Sequence, residues 1–292
     1  MSNASALPRV ALIGPGAIGL VVADALHRAG HEAQLCARTP FRTLRVESID
    51  GESVFTPRVI DDPQEASAVD IVLVATKTYD VAGTEHWLVA LRRDDTPVAV
   101  LQNGVEHVAR FAPFVPRACI VPVVVDCPVT RVAPGHAQRK GRLRLTFAAD
   151  DVARRIAALF SAPPAEVEVT DDFVTAAWRK LCRNAAGGVP AVLNAGEDVA
   201  REPRAAERIR AVVRETIEVG RAEGARLEDA LVDQIVTAMA AAPAGHRNSL
   251  SADHAAGRPT EVDARNGAVV RLGRAHGIAT PHNQRLCEEL GR

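Results

Sequence analysis

Residues 14–19 read Gly-Pro-Gly-Ala-Ile-Gly, three glycines in the spacing G-x-G-x-x-G. A strand-like apolar run, Val10–Ile13, leads in, and a helical pattern over Ile18–Ala29 follows. In that setting Gly14 permits the tight turn, and Gly16 removes a side chain where backbone must approach a pyrophosphate. Gly19 lets helix and strand pack closely. The diphosphate then rests on N–H groups at the helix start, where the dipole favours negative charge. The chemistry expected of Gly14, Pro15, Gly16, Ala17, Ile18 and Gly19 is therefore the binding of a dinucleotide. A ligand-free glycine turn is the plainer alternative.

The next strand end selects between cofactors. An Asp or Glu there would hold the ribose hydroxyls of NAD. The segment "AQLCARTP" delivers Arg38 and Thr39 instead, and no carboxylate follows until Glu47. A guanidinium at this point can clamp a 2′-phosphate bidentately, so NADPH is the expected cofactor. Two later strand ends also carry polar groups. "IVLVATKTYD" presents Thr76 and Lys77, and "PVAVLQNGVEH" presents Gln102, Asn103 and Gly104. Ligands of open α/β sheets lie against the carboxyl ends of the strands, so both segments can reach the nicotinamide side. For Arg38 and Lys77 the competing reading is an ordinary solvated side chain.

In the helical stretch "WRKLCRNAAGG", Lys180 and Asn184 are four residues apart and share a face. The plainer reading puts both on the solvent side; against it, Trp178, Leu181 and Cys182 on the same helix need burial, which would cover it on most sides. Further on, "NSLSADHAAGRPTEVDARNG" offers Ser249, Ser251, Asp253, Arg258 and Glu261. Glu261 can be explained without function, as a first-turn acid in a helix capped by Thr260.

The elements that must position these residues alternate through the first half. Strand patterns at Val10–Ile13, Ala33–Ala37, Asp70–Ala75, Pro97–Leu101 and Ala118–Val125 are separated by helical ones at Ile18–Ala29, Val81–Leu91 and Val105–Phe114. Such repeats build a parallel sheet with right-handed crossovers. A strand at Leu143–Phe147 reads as an antiparallel extension of that sheet. A helix at Asp151–Phe160 and a strand at Glu166–Val169 follow. Beyond Asp171 only helical patterns remain. The expected fold class is α/β, a Rossmann-type doubly wound sheet followed by an all-α C-terminal domain. The boundaries are a dinucleotide-binding domain over 1–169 and a helical catalytic domain over 170–292.

Bulk properties narrow the function. The chain has 292 residues, enough for about two domains. Net charge is -1 and aromatics are 3%, which argues against nucleic-acid and anionic-membrane partners. The five cysteines form no C-x-x-C, and the histidines form no H-E-x-x-H, so no metal site is expected. No apolar run is long enough to span a membrane, and no signal peptide is visible. The reading is a cytoplasmic protein with reduced thiols, preceded by a polar, disordered lead "MSNASALP". No G-x-S-x-G or G-x-x-x-x-G-K-[ST] supports a hydrolase or a P-loop enzyme.

The set G-x-G-x-x-G, "ATK", "QNG", "WRKLxxN" and "SxxxDxxxGRxTEVD", in this order across about Arg9 to Leu290, resembles the ketopantoate reductases (2-dehydropantoate 2-reductases). The resemblance implies a Rossmann domain joined to a helical domain like the C-terminal domain of 6-phosphogluconate dehydrogenase. It implies an NADP-dependent oxidoreductase of pantothenate biosynthesis, a monomer or homodimer, acting on a small 2-oxo acid. By position, Gly14, Gly16 and Gly19 form the phosphate turn and Arg38 holds the 2′-phosphate. Lys77 and Asn103 border cofactor and substrate. Lys180 matches the catalytic lysine, and Asn184 an asparagine on the substrate hydroxyl. Ser249 matches the serine near the substrate carboxylate. Glu261 matches a carboxylate that borders the cofactor–substrate site and sets the lysine's position.

One position departs from the family pattern. A second asparagine four residues beyond the first is replaced by Gly188, in "NAAGGVP". The expected consequence is a lost substrate contact and a larger or reshaped pocket. The implied mechanism is hydride transfer from NADPH to a ketone carbon, with protonated Lys180 as general acid to the oxygen. A cleft between the domains could close over the bound pair. Three alternatives stand beside it: a reductase of a bulkier 2-oxo acid, a β-hydroxyacid or opine-type dehydrogenase, and a non-catalytic NADPH sensor.

Overall fold

The structure, a computed structural model, describes residues 7–291. The chain forms two compact units. One takes the described residues up to Gln102 together with His107–Asp171, and the other Asn103–Glu106 together with the residues from Asp172 onward. Residues 1–6 of the polar lead lie outside the described residues.

The first unit begins β1 (Val10–Ile13), α1 (Ala17–Arg28), β2 (Ala33–Cys36), β3 (Leu44–Ser48), β4 (Gly51–Phe55) and β5 (Arg58–Ile60). It continues β6 (Ile71–Val74), α2 (Glu85–Leu91), β7 (Val98–Val100), α3 (His107–Phe111), β8 (Ile120–Pro122) and β9 (Val124–Asp126). It ends β10 (Val129–Ala133), β11 (His136–Arg139), β12 (Leu143–Ala148), α4 (Asp151–Ala157) and β13 (Ala165–Thr170). The main sheet has six parallel strands in the order β5-β2-β1-β6-β7-β8.

Both faces of this sheet are buried, as its unbroken apolar strands require. Val10, Leu12, Leu35, Leu73 and Ala99 enter one core with Leu20, Val21 and Leu26 of α1. Ala11, Ile13, Cys36, Val72 and Val74 enter the other with Trp87, Leu88, Leu91 and Phe111. Each fully buried Leu or Val contributes about 1.5–3 kcal/mol. A one-residue slip would exchange the two faces, so packing fixes the register and the level at which each strand ends.

Three expectations need correction. Leu143–Ala148 is a strand, but it does not extend the main sheet. It pairs antiparallel with β9 and parallel with β13 in a separate three-stranded sheet. The run read as one strand over Ala118–Val125 accordingly divides between β8, in the main sheet, and β9, in the small one. The helix expected over Val105–Phe114 is shorter, running only from His107 to Phe111. A third sheet, β10-β11-β3-β4, was not anticipated.

The second unit is helical, with α5 (Phe173–Ala186), α6 (Gly188–Val192), α7 (Pro203–Ala222), α8 (Leu231–Ala240), α9 (Ser249–Ala255), α10 (Ala268–Ala275) and α11 (Pro281–Leu290). Asp172 caps α5 by accepting from Thr175 N at 3.4 Å. Trp178, Leu181, Cys182, Ile209, Val212, Val213, Ile235 and Leu286 share one core. A five-residue π-turn, Asp263–Gly267, leads into α10, and helical geometry starts at Val262, one residue later than expected.

A buried polar network fixes that turn. Asn266 Nδ2 donates to Ala185 O at 3.1 Å and to Asn283 Oδ1 at 2.9 Å. Asn283 Nδ2 donates to Glu215 Oε2, which also accepts from Asn283 N, while Oε1 accepts from His282 N. Breaking such a bond strands a buried partner at a cost of about 1–3 kcal/mol, so the π-turn is held firmly to α5, α7 and α11.

Candidate active site

In the first unit the loop from β1 to α1 has the form needed for an anion. Gly14 has φ +83°, a left-handed conformation, and a β-carbon there would strike Thr76. Gly19 lies so close to the Gly14 carbonyl that no side chain fits. Gly16, by contrast, faces open space: a β-carbon there would meet nothing within 4 Å. Gly16 also stands at the N-cap of α1, with no side-chain cap and no acid in the first turn. The first-turn N–H groups, at Ala17 and Ile18, have no intrahelical acceptor by geometry. The turn thus leaves the N-terminus of α1 open to solvent, with no side chain over it.

Arg38 follows β2 and is 81% exposed, and its Nη2 lies 2.9 Å from Asp80 Oδ2. The guanidinium is therefore held by a solvent-facing ion pair, which a stronger anion can displace. Lys77 follows β6 and is half-buried. Gln102 Nε2 donates to Thr76 Oγ1 at 2.9 Å and Thr76 O at 3.0 Å, tying together the loops after β6 and β7.

The second unit brings together most of the other expected residues. Asn184 Nδ2 donates to Asn103 Oδ1 at 3.1 Å, and Asn103 Nδ2 donates to Glu261 Oε2 at 3.0 Å. Lys180 lies one turn before Asn184 on α5 and is half-buried. The position of Gly104 explains why this strand-end segment sits among helices. Its φ is +104°, and a β-carbon would come within 2.8 Å of the Ala264 carbonyl. Arg271 adds a clamp, with Nη2 2.7 Å from Glu106 Oε2.

Glu261 is only 4% exposed and Arg265, four residues on, 2%. Arg265 Nη2 lies 3.8 Å from Glu261 Oε2 and donates to Ser249 Oγ at 2.8 Å. Burial pushes the guanidinium below its ordinary pKa, against the pull of Glu261 and Asp253. Sequence reasoning missed Arg265. Its signal was the four-residue spacing from Glu261, which puts both on one helical face. The helix α9 was also missed, although Asn248 caps it by accepting from Ser251 N at 3.0 Å.

Other candidates have structural explanations. Ser251 is fully buried and donates to Ala195 O at 3.0 Å. Asp253 pairs with Arg258 at 2.8 Å. Gly188 does not border empty space. It is buried, and a β-carbon there would meet Leu286 at 2.9 Å and Asn266 Oδ1 at 3.3 Å. Leucine occupies the space that a larger residue would need. Among the described residues no group of three or more His, Cys, Asp or Glu could hold a metal ion. No described helix is long and apolar enough to cross a membrane.

The family model for ketopantoate reductase PanE/ApbA matches residues 10–151, and that for its C-terminal region matches 172–292. The chain is 47% identical to the 2-dehydropantoate 2-reductase of Caulobacter vibrioides, covering 94% of this chain and 95% of the relative. It is 38% identical to the enzyme of that name from Mycobacterium tuberculosis, over 93% of each. Among solved structures it superposes with a TM-score of 0.89 on a 2-dehydropantoate 2-reductase from Geobacter metallireducens, at 27% identity over 97% of this chain and 99% of that one. A PanE/ApbA family ketopantoate reductase from Ralstonia eutropha gives a TM-score of 0.88 at 30% identity, over 97% of both. With both halves matched and both units built as the motifs require, the chain belongs to the ketopantoate reductase family.

Proposed function

We propose that this protein reduces 2-dehydropantoate to the corresponding 2-hydroxy acid at the expense of NADPH, and that it works in the cytoplasm as a monomer or homodimer. The observation that supports this reading best is the hydrogen-bonded series Asn184–Asn103–Glu261 beside Lys180, drawn from three distant stretches of sequence. A series of this kind, two half-buried amides on a buried carboxylate, is costly to assemble by chance.

The residues suit the cofactor. The open cradle at Gly16 accepts the diphosphate, and Arg38 takes the 2′-phosphate by exchanging Asp80 for it. When bound, NADPH supplies the hydride. The chain's own residues supply the rest. Lys180, protonated, donates its proton to the ketone oxygen as that oxygen gains negative charge, a contribution of about 10²–10⁴-fold. Glu261 keeps the ammonium charged and aimed. Asn184 donates to the same oxygen, and Asn103 sets its orientation. Ser249 holds the substrate carboxylate.

A bulkier 2-oxo acid is the second reading. Gly188 was its motive, and Leu286 against Gly188 weakens it. NADPH consumption with ketopantoate and with a graded panel of bulkier 2-oxo acids decides between them. The highest kcat/KM is expected for ketopantoate. A maximum at a bulkier acid favours the second reading, and NADPH binding with no turnover on any acid favours a sensor.

A further inference from the structure

Arg265 is a buried cation that the reaction as described leaves without a task. Its guanidinium is 2% exposed, yet the Nε has no hydrogen-bond partner among the described residues. Its nearest carboxylate, Glu261, lies 3.8 Å from Nη2, beyond hydrogen-bond reach. A buried charge so incompletely satisfied is expensive. Among the described residues its side chain bonds Ser249, whose Oγ accepts from Nη2 at 2.8 Å.

That bond has a directional consequence. A hydroxyl carries one proton and two lone pairs. With Arg265 as donor, one lone pair of Ser249 is engaged and its proton turns away from the guanidinium. Ser249 is itself exposed, so the proton faces outward with a positive charge behind it. An anion docking on that proton gains both a hydrogen bond and the field of a cation sheltered from solvent screening. The charged groups acting on Arg265 are Glu261 and Asp253. Asp253 is neutralised by Arg258 at 2.8 Å.

We propose that Arg265 is a positioning and specificity-determining residue for the substrate's carboxylate, acting through Ser249, which it holds as an outward donor. The inference rests on the 2-oxo acid reading of the site and adds the group that makes the site select an anion. The π-turn is what places it. Arg265 sits within it, and its guanidinium reaches Ser249, the first residue of α9.

The test measures Kd by calorimetry and KM by NADPH oxidation, for ketopantoate and for its uncharged methyl ester. Wild type, Arg265→Met, Arg265→Lys and Ser249→Ala are compared. For Arg265→Met, Kd and KM for the acid rise about ten- to a hundredfold, as expected for losing a bond to a charged group. The ester changes less than about threefold, and Arg265→Lys recovers part of the loss. Ser249→Ala, an exposed change that does not depend on refolding the interior, gives the same preference for harming the acid. An equal loss for acid and ester, or an acid affinity unchanged in Ser249→Ala, overturns the proposal. Wild type that binds the acid without turnover counts against the reductase reading alone, since the Kd comparison still judges Arg265.

Discussion

Asn103 donates its amide to the buried carboxylate of Glu261 at 3.0 Å and accepts from Asn184 on its other side at 3.1 Å, so one side chain joins three distant stretches of sequence within the second unit. The amide does both at once, its nitrogen giving a proton to the acid and its oxygen taking one from the asparagine.

Replacing Asn103 therefore harms the site in a graded way. Asn103→Ala leaves Glu261 and Asn184 each short of a partner, and lowers kcat/KM for the 2-oxo acid by roughly 5- to 150-fold, from about 1–3 kcal/mol per unmade bond. Asn103→Asp is worse, because it sets a second carboxylate against Glu261. Steady-state kinetics on both variants checks the order. Wild-type kinetics in Asn103→Asp would contradict it.

Arg38 and Asp80 make the cofactor preference adjustable in both directions. Arg38→Ala weakens NADPH by about 10- to 150-fold, from the loss of a charged hydrogen bond, and leaves NADH nearly unchanged. Asp80→Asn frees the guanidinium from its 2.9 Å partner and tightens NADPH by up to about fivefold, the worth of an exposed ion pair. Fluorescence titration with both cofactors measures the split, and equal shifts for the two would remove Arg38 from the phosphate site.

How much of this could be read beforehand follows from burial. The strands of the main sheet announce themselves because both faces are covered, leaving unbroken apolar runs such as Val10–Ile13 and Ile71–Val74. Strands β3 and β4 escape notice because "LRVES" and "GESVF" alternate on a half-exposed sheet, although Asp50-Gly51, where the loop meets β4, is a hairpin signal. The glycine cradle is local, and six consecutive residues define it. Arg265 is different. The chain has 35 Lys and Arg, and the four-residue spacing from Glu261 does not by itself tell a sealed guanidinium from a solvated one. The pairing of Asn103 with Glu261 is likewise invisible, since 158 residues intervene.

Gly188 gives a prediction about stability. A β-carbon there meets Leu286 at 2.9 Å, so Gly188→Ala overpacks the interior by about 1–3 kcal/mol. Better helix propensity returns at most about 1 kcal/mol. Thermal melts should show a lowered Tm, partly restored when Leu286→Ala is added. An unchanged Tm in the single variant would mean that the leucine yields freely and that the position is roomy after all.

The central claim is that Lys180 supplies the proton, and Lys180→Ala tests it most directly through single-turnover NADPH oxidation with saturating ketopantoate. The account predicts that NADPH binds as in wild type while the oxidation rate falls by about 10²–10⁴-fold. A rate within a few-fold of wild type, with the protein folded and the cofactor bound, would contradict it.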